Sequence, residues 1–233
     1  MDEIEWWEFG SLAELAEQAA GDIGFVIERA VEAHGGARLA VPGGDAPEAL
    51  FAALLRNRSI DWTRVALTPT DDALVRLDDA CSAYRRLESL FAAKGAEIVS
   101  LVDEAALDDV REAGRLADAR LSLLRWPLDL ACLAVGEDGH TAGMMAGPDL
   151  EAALSGPRER RAIGLRPAAG EPRLTLTAAA LTSARAVMVI AVGAETRAVI
   201  EQAIKEGPLS SKPIGRLLAA IEAPIDIFWS EAS

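Results

Sequence analysis

His140 is one of only two histidines in the chain, and its neighbours could prepare it for proton transfer. It follows Gly136, Glu137, Asp138 and Gly139, an acidic glycine turn that comes directly after an apolar run. A histidine beside carboxylates can accept a proton near neutral pH. An exposed turn histidine without a chemical role fits the same pattern, so the residues alone leave both interpretations open.

The elements around this turn are predicted to form an α/β sheet. Residues 128–135 are predicted as a buried strand, and the segment after His140 as the start of a helix. Strands alternate with helices along the chain, which indicates a mostly parallel sheet covered on both faces. Ligands bind at the carboxyl edge of such sheets, where His140 is expected to lie.

The remaining predicted elements follow from hydrophobic periodicity, with no composition break that would divide residues 1–233 into more than a single domain. The other predicted strands are Ile4–Phe9, Ala37–Val41, Val65–Leu67, Glu97–Leu101, Arg173–Thr177, Ala186–Val192 and Pro224–Trp229. The predicted helices are Leu12–His34, a helix from near Pro47 to about Arg58, Tyr84–Lys94, Asp108–Ala119, Ala178–Ala184, Glu195–Lys205 and Ile214–Ala220. Residues 71–83 are expected to be irregular.

Composition excludes several classes of function. The net charge of −14 and the pI of about 4.6 argue against binding to nucleic acid or to an anionic membrane surface. Two cysteines offer neither a disulfide framework nor a zinc spacing. The acidic N-terminus does not resemble a signal peptide, and no apolar run could span a bilayer, so we expect a cytoplasmic protein.

A second glycine turn follows the strand Ala37–Val41. Gly43 and Gly44, with Pro42 before them and Asp45 after them, could present free N–H groups at a helix N-terminus to an anion. The spacing is not Gly-x-Gly-x-x-Gly, so a dinucleotide site is not indicated. An ordinary tight loop explains this turn equally well when it is taken alone.

Taken together, six segments in this order resemble the 6-phosphogluconolactonase family. They are Leu39–Gly44, Thr70–Asp72, Gly136–Ala142, Arg173–Thr177, Pro213–Leu218 and Ile225–Trp229. The run Gly-Glu-Asp-Gly-His-Thr-Ala is the most specific. The wider superfamily includes glucosamine-6-phosphate isomerase, which has a related Asp-Gly-His turn, but Thr141-Ala142 and Thr70–Asp72 fit the lactonase branch better.

The resemblance implies a Rossmann-like three-layer α/β/α fold and hydrolysis of 6-phosphoglucono-δ-lactone in the pentose phosphate pathway, without a metal or cofactor. His140 would be the general base that activates water, oriented by Glu137 or Asp138, and backbone N–H groups would stabilise the oxyanion. The resemblance further implies a substrate-binding set, which comprises Gly43, Gly44, Asp71, Asp72, Ser82, Gly139, Arg173 and Arg197.

The sequence departs from the family at its expected phosphate ligands. Asp45 replaces a hydroxyl residue, Ala73 an arginine, Ala83 an asparagine and Thr196 a lysine. A carboxylate at contact distance from phosphate costs about 4 kcal/mol at an intermediate dielectric. Four basic residues could compensate for these losses, namely Arg173, Arg197, Lys212 and Arg216.

Three functions therefore remain open. The chain could be a working lactonase with an unusual phosphate site. It could instead act on a non-phosphorylated lactone, or bind a ligand without catalysis. A sugar-phosphate isomerase is the third possibility, although it too needs to hold a phosphate. The expected partner is a small sugar lactone, and the oligomeric state is not predicted.

Overall fold

The computed structural model describes residues 4–43 and 48–231. Within these ranges the strands are β1 (Ile4–Phe9), β2 (Ala37–Val41), β3 (Val65–Pro69), β4 (Asp71–Ala73), β5 (Glu97–Ile98), β6 (Leu130–Ala134), β7 (Ala162–Leu165), β8 (Arg173–Leu176), β9 (Val187–Val192) and β10 (Ile225–Ser230). The α-helices are α1 (Leu12–His34), α2 (Glu48–Arg56), α3 (Ala83–Phe91), α4 (Val110–Leu121), α5 (Leu150–Leu154), α6 (Ala178–Thr182), α7 (Ala194–Glu206) and α8 (Pro213–Ala220).

Seven strands form a parallel sheet in the order β1-β10-β9-β6-β2-β3-β5. From β2 the chain continues outward to β3 and β5, whereas from β6 it continues in the opposite direction to β9 and β10. The strand order therefore reverses between β2 and β6. In open α/β sheets, the crevice at the carboxyl ends of such a strand pair is the usual ligand site.

Both faces of this sheet are covered, as β6 shows residue by residue. Leu130 and Cys132 pack into the cluster that contains the apolar faces of α1, α2 and α3. Ala131 and Leu133 point to the opposite face, into the cluster formed with α4, α6, α7 and α8. Alternate side chains of a strand face opposite sides of a sheet, so a strand that is apolar throughout must be buried on both sides. The predicted Rossmann-like three-layer α/β/α architecture is confirmed.

A second sheet contains three antiparallel strands in the order β4-β8-β7. The expectation that residues 71–83 are irregular is wrong for β4 and for Ala83, where α3 begins, and correct for residues 74–82. Asp71 pairs with Thr175, and Ala73 pairs with Arg173, about a hundred residues further along the chain. Three residues cannot show a reliable alternation of polar and apolar side chains. Pairing with a strand distant in sequence creates β4, and the local sequence does not reveal it.

The segment after His140 also differs from the prediction, because no helix starts there. Thr141 forms isolated bridges with Val135 and Met144, and Ala142 and Gly143 have φ angles of 50° and 64°. These left-handed conformations cannot continue a right-handed α-helix. The chain instead folds back over the end of β6.

Several boundaries also move by a few residues. The central strand is shorter than the predicted 128–135, and β5 ends at Ile98 rather than Leu101. The helix predicted to run from near Pro47 to about Arg58 ends at Arg56, and its predicted start lies outside the described residues. Hydrophobic patterns identify elements better than their ends, because end residues are only partly buried. None of the described helices is long and apolar enough to cross a membrane.

Candidate active site

The turn that carries His140 is closed by its own backbone. The N–H of Gly136 donates to the carbonyl of His140 at 3.0 Å, and the N–H of Gly139 donates to the carbonyl of Gly136 at 2.9 Å. The imidazole folds back onto Gly136, where an added Cβ would lie 2.1 Å from the ring Cε1. Only glycine at this position leaves room for the ring, so the turn itself determines where the imidazole lies.

Asp138 is the carboxylate that orients the imidazole. Its Oδ1 accepts a hydrogen bond from the backbone N–H of His140 at 3.0 Å and contacts the ring Nδ1. Partial burial raises the pKa of Asp138, but the hydrogen bonds from His140 outweigh it, so the net pKa lies below its ordinary value. An ionised carboxylate at Nδ1 favours the tautomer that carries the proton there, in which Nε2 is the basic nitrogen of the ring. Glu137 is exposed.

Three segments meet beside this turn at the carboxyl edge of the sheet. An added Cβ on Gly43, after β2, would lie 2.0 Å from the Cβ of Ala83 and 3.5 Å from the carbonyl oxygen of Asp71. An added Cβ on Gly143 would lie 2.5 Å from Oδ2 of Asp71. Gly43 and Gly143 therefore approach the same aspartate, which begins β4. This brings Gly43, Asp71 and the His140 turn together at the crevice between β2 and β6.

Asp71 forms an ion pair with Arg173 across the small sheet. The Nε of Arg173 donates to Oδ2 of Asp71 at 2.9 Å, and its Nη2 contacts the same oxygen. The side chain of Asp71 is only 9% exposed and that of Arg173 is 25% exposed. The guanidinium thus neutralises a carboxylate that packing against Gly143 buries.

Asp72 and Ser82 hold the N-terminus of α3. The buried carboxylate of Asp72 accepts hydrogen bonds from the N–H groups of Ala83 at 2.7 Å and Tyr84 at 3.0 Å. Burial raises the pKa of Asp72 to about 6, despite these two bonds. Ser82 is the N-cap, and its Oγ accepts from the N–H of Arg85. Both side chains bind the protein's own backbone and so position the helix behind Gly43.

Arg197 lies on α7, and it contacts side chains of β1, β10 and its own helix. It forms ion pairs with Glu8 at 2.8 Å and Glu201 at 2.9 Å, and its guanidinium lies 4.6 Å from the ring centroid of Trp229. These partners place it over β1 and β10, beyond β9 from the switch point. Thr196, in the first turn of α7, is buried.

The departures from the family pattern have different structural settings. Ala73 and Ala83 are both buried, and an alanine side chain cannot bind a phosphate group. Gly44 and Asp45 lie outside the described residues. Sequence reasoning did not single out Arg86, whose Nη1 donates to the carbonyl of Gly43 at 3.0 Å. The spacing of Ala83 and Arg86 could have identified it, because residues three apart on a helix share a face. Ala83 lies against Gly43, so Arg86 is expected on the same side of α3.

The N-terminus of α8 packs against the His140 turn. The N–H of Ile214 donates to the carbonyl of Gly139 at 3.3 Å. Gly139 has a φ of +83°, and an added Cβ there would lie 2.9 Å from the Cβ of Lys212. Arg216, one turn further along α8, forms an ion pair with Glu151 of α5 at 2.7 Å. Lys212 therefore lies beside the turn, whereas Arg216 joins two helices.

The described residues offer neither a reactive core cysteine nor a cluster of metal ligands. Burial raises the pKa of the Cys132 thiol to about 12, which keeps this core cysteine protonated. Within residues 4–43 and 48–231, no group of three or more His, Cys, Asp or Glu side chains could hold a metal ion. The arrangement described above is suited to proton transfer by an imidazole that a carboxylate orients.

Comparison with known proteins places this geometry in a family. Residues 10–225 match the family model described as glucosamine-6-phosphate isomerases/6-phosphogluconolactonase. A 6-phosphogluconolactonase of Mesorhizobium japonicum is 36% identical over 97% of this chain and 94% of its own length. One from Rhizobium meliloti is 34% identical over 95% of this chain and 97% of its own. The crystal structure of a 6-phosphogluconolactonase from Shewanella baltica superposes with a TM-score of 0.90 at 29% identity, covering 98% of each chain. The chain belongs to the glucosamine-6-phosphate isomerase/6-phosphogluconolactonase family.

Proposed function

We propose that this protein hydrolyses 6-phosphoglucono-δ-lactone to 6-phosphogluconate, with His140 as the general base. The observation that carries the proposal is the contact of the Asp138 carboxylate with Nδ1 of His140, which favours the tautomer whose basic nitrogen is Nε2, at the switch point of the sheet. The names of the full-length relatives support the same reaction. We further propose that the protein works in the cytoplasm, in the pentose phosphate pathway.

The reaction needs one proton acceptor that later returns its proton. Nε2 of His140 takes a proton from a water molecule as the water oxygen bonds to the lactone carbonyl carbon. Asp138 stabilises the imidazolium that results, because its carboxylate is ionised. When the tetrahedral intermediate collapses, the bond to the ring oxygen breaks, and the imidazolium protonates that oxygen. One water is consumed, and the product is an open-chain acid.

A second candidate substrate is a lactone without phosphate, and specific observations favour it. Ala73 and Ala83 are buried where the family resemblance implies polar ligands, and Arg173 is already paired with Asp71. These replacements remove donors from the region around Gly43. A neutral lactone would need the His140 turn but none of the missing cations.

Hydrolysis of freshly generated 6-phosphoglucono-δ-lactone and of glucono-δ-lactone, each corrected for spontaneous opening, tests the proposal. Faster enzymatic hydrolysis of the phosphorylated lactone would support the main proposal. A rate increase confined to the neutral lactone would favour the second candidate. If neither lactone is hydrolysed faster than in buffer, both proposals are wrong, and the His140 turn serves another purpose.

A further inference from the structure

The basic side chains that are candidate phosphate ligands differ in whether they already pair with another group of the protein. Arg173 is paired with Asp71, Arg197 with Glu8 and Glu201, and Arg216 with Glu151. Arg86 donates to the carbonyl of Gly43 and packs over a phenylalanine ring. A cation that already neutralises a carboxylate contributes less to an added anion, because the two charges largely cancel at a distance.

Lys212 is different, because its ammonium forms no hydrogen bond or ion pair with any residue in the described part of the chain. Its stem runs along Gly139, where an added Cβ would lie 2.9 Å from the Cβ and 3.1 Å from the Cδ of the lysine. The positive charge of Lys212 acts on the carboxylate of Glu206. Hydrogen bonds from Gln202 and Ser210 chiefly lower the pKa of Glu206, and Lys212 adds a smaller contribution.

The packing of Lys212 limits how far it can move from the His140 turn. The residue is partly buried, and it caps α8, whose next residues are tied to Gly139 by the hydrogen bond from Ile214. Gly139 immediately precedes His140, so the lysine stem lies one residue from the proposed base. The stem is held by this contact, while the ammonium remains available to a ligand.

We infer that Lys212 binds the phosphate group of the substrate and so determines preference for a phosphorylated lactone. This inference rests on the proposed function and specifies which residue recognises the substrate. A lysine binds phosphate as a compact point charge. The chain carries a net charge of −14, so its overall field repels an anionic substrate, and a local cation is needed to hold the phosphate.

Lys212→Met tests this role, since methionine keeps an unbranched apolar stem and removes the charge. We expect kcat/KM for 6-phosphoglucono-δ-lactone to fall at least about tenfold, mainly through KM, while the value for glucono-δ-lactone changes less than about twofold. Lys212→Arg should retain most of the preference. Lys205→Met, on the exposed last turn of α7, is the matched control and should leave both substrates unaffected.

Binding of 6-phosphogluconate and of gluconate to the full chain, measured by calorimetry, separates this inference from the proposed function. The inference predicts that Lys212→Met weakens binding of 6-phosphogluconate at least about tenfold and leaves gluconate unaffected, even if the protein hydrolyses neither lactone. Equal losses for both ligands, unchanged binding of 6-phosphogluconate, or no binding of it by the wild-type protein would overturn the inference. Thermal unfolding of each variant shows whether it is folded.

Discussion

The carboxylate of Asp138 contacts Nδ1 of His140 while the imidazole lies flat against Gly136. The two residues are separated only by Gly139, so one tight turn contains both the proposed base and the group that orients it. The base therefore requires no residue from another element to select its tautomer. The rest of the fold has to bring the substrate to this turn.

His140→Ala should reduce lactone hydrolysis by about 10²- to 10⁴-fold, because it removes the proton acceptor. The imidazole is partly exposed, and we expect little change in the free energy of unfolding. His34, the other histidine, lies exposed in the last turn of α1, and His34→Ala is the control. Initial rates corrected for spontaneous opening provide the measurement. Equal rates for wild type and His140→Ala would remove His140 from the mechanism.

Asp138→Asn should lower kcat at least about tenfold, because a neutral amide neither selects the Nδ1–H tautomer nor stabilises the imidazolium. Glu137→Gln changes the adjacent carboxylate, which is exposed, and should leave kcat within about twofold of the wild-type value. Steady-state kinetics of the two variants show which carboxylate, that of Asp138 or that of Glu137, supports His140. A larger loss for Glu137→Gln than for Asp138→Asn would contradict the geometry of the turn.

Gly136→Ala should displace the imidazole, because the new Cβ would lie 2.4 Å from its Nδ1. We expect kcat to fall at least about tenfold, since a small misplacement of a reacting group is costly. Gly21→Ala is the matched control on α1, where no atom lies within 4 Å of an added Cβ. This control should keep its activity and gain about 0.5–1 kcal/mol of stability. Full activity in Gly136→Ala would show that the ring position is not needed.

Asp72 should make stability depend on pH. Its pKa in the folded protein is about 6, above the ordinary value of 3.8, so the folded state keeps a proton that the unfolded state has lost. The contribution of this proton is complete below about pH 4 and is lost as the pH rises through 6, at most about 3 kcal/mol in total. The difference in free energy of unfolding between wild type and Asp72→Asn should therefore decline over this window.

Urea unfolding at several pH values between 4 and 7 measures this difference. Asp109→Asn alters the exposed N-cap of α4 and serves as the control, because it changes a capping carboxylate without removing a buried one. A difference between wild type and Asp72→Asn that stays constant or grows with pH would contradict the predicted role of Asp72.

The sequence by itself determined the strands of the seven-stranded sheet, its parallel arrangement with both faces covered, and the turn at His140. These features depend on hydrophobic periodicity and on residues adjacent in the chain, both of which can be recognised locally. The apolar run before the turn identified the central strand, and its burial on both faces required helices on each side.

Only the tertiary structure decided which side chains lie together at the candidate site. Asp138 rather than Glu137 contacts the imidazole, because the closed turn places the Asp138 carboxylate beside Nδ1 of His140. Arg173 is held by Asp71, whereas Arg197 is held by partners on β1, β10 and its own helix. The pairing of β4 with β8 brings together residues about a hundred positions apart. Such contacts depend on how the elements pack in three dimensions, and residue types and spacing along the chain do not specify them.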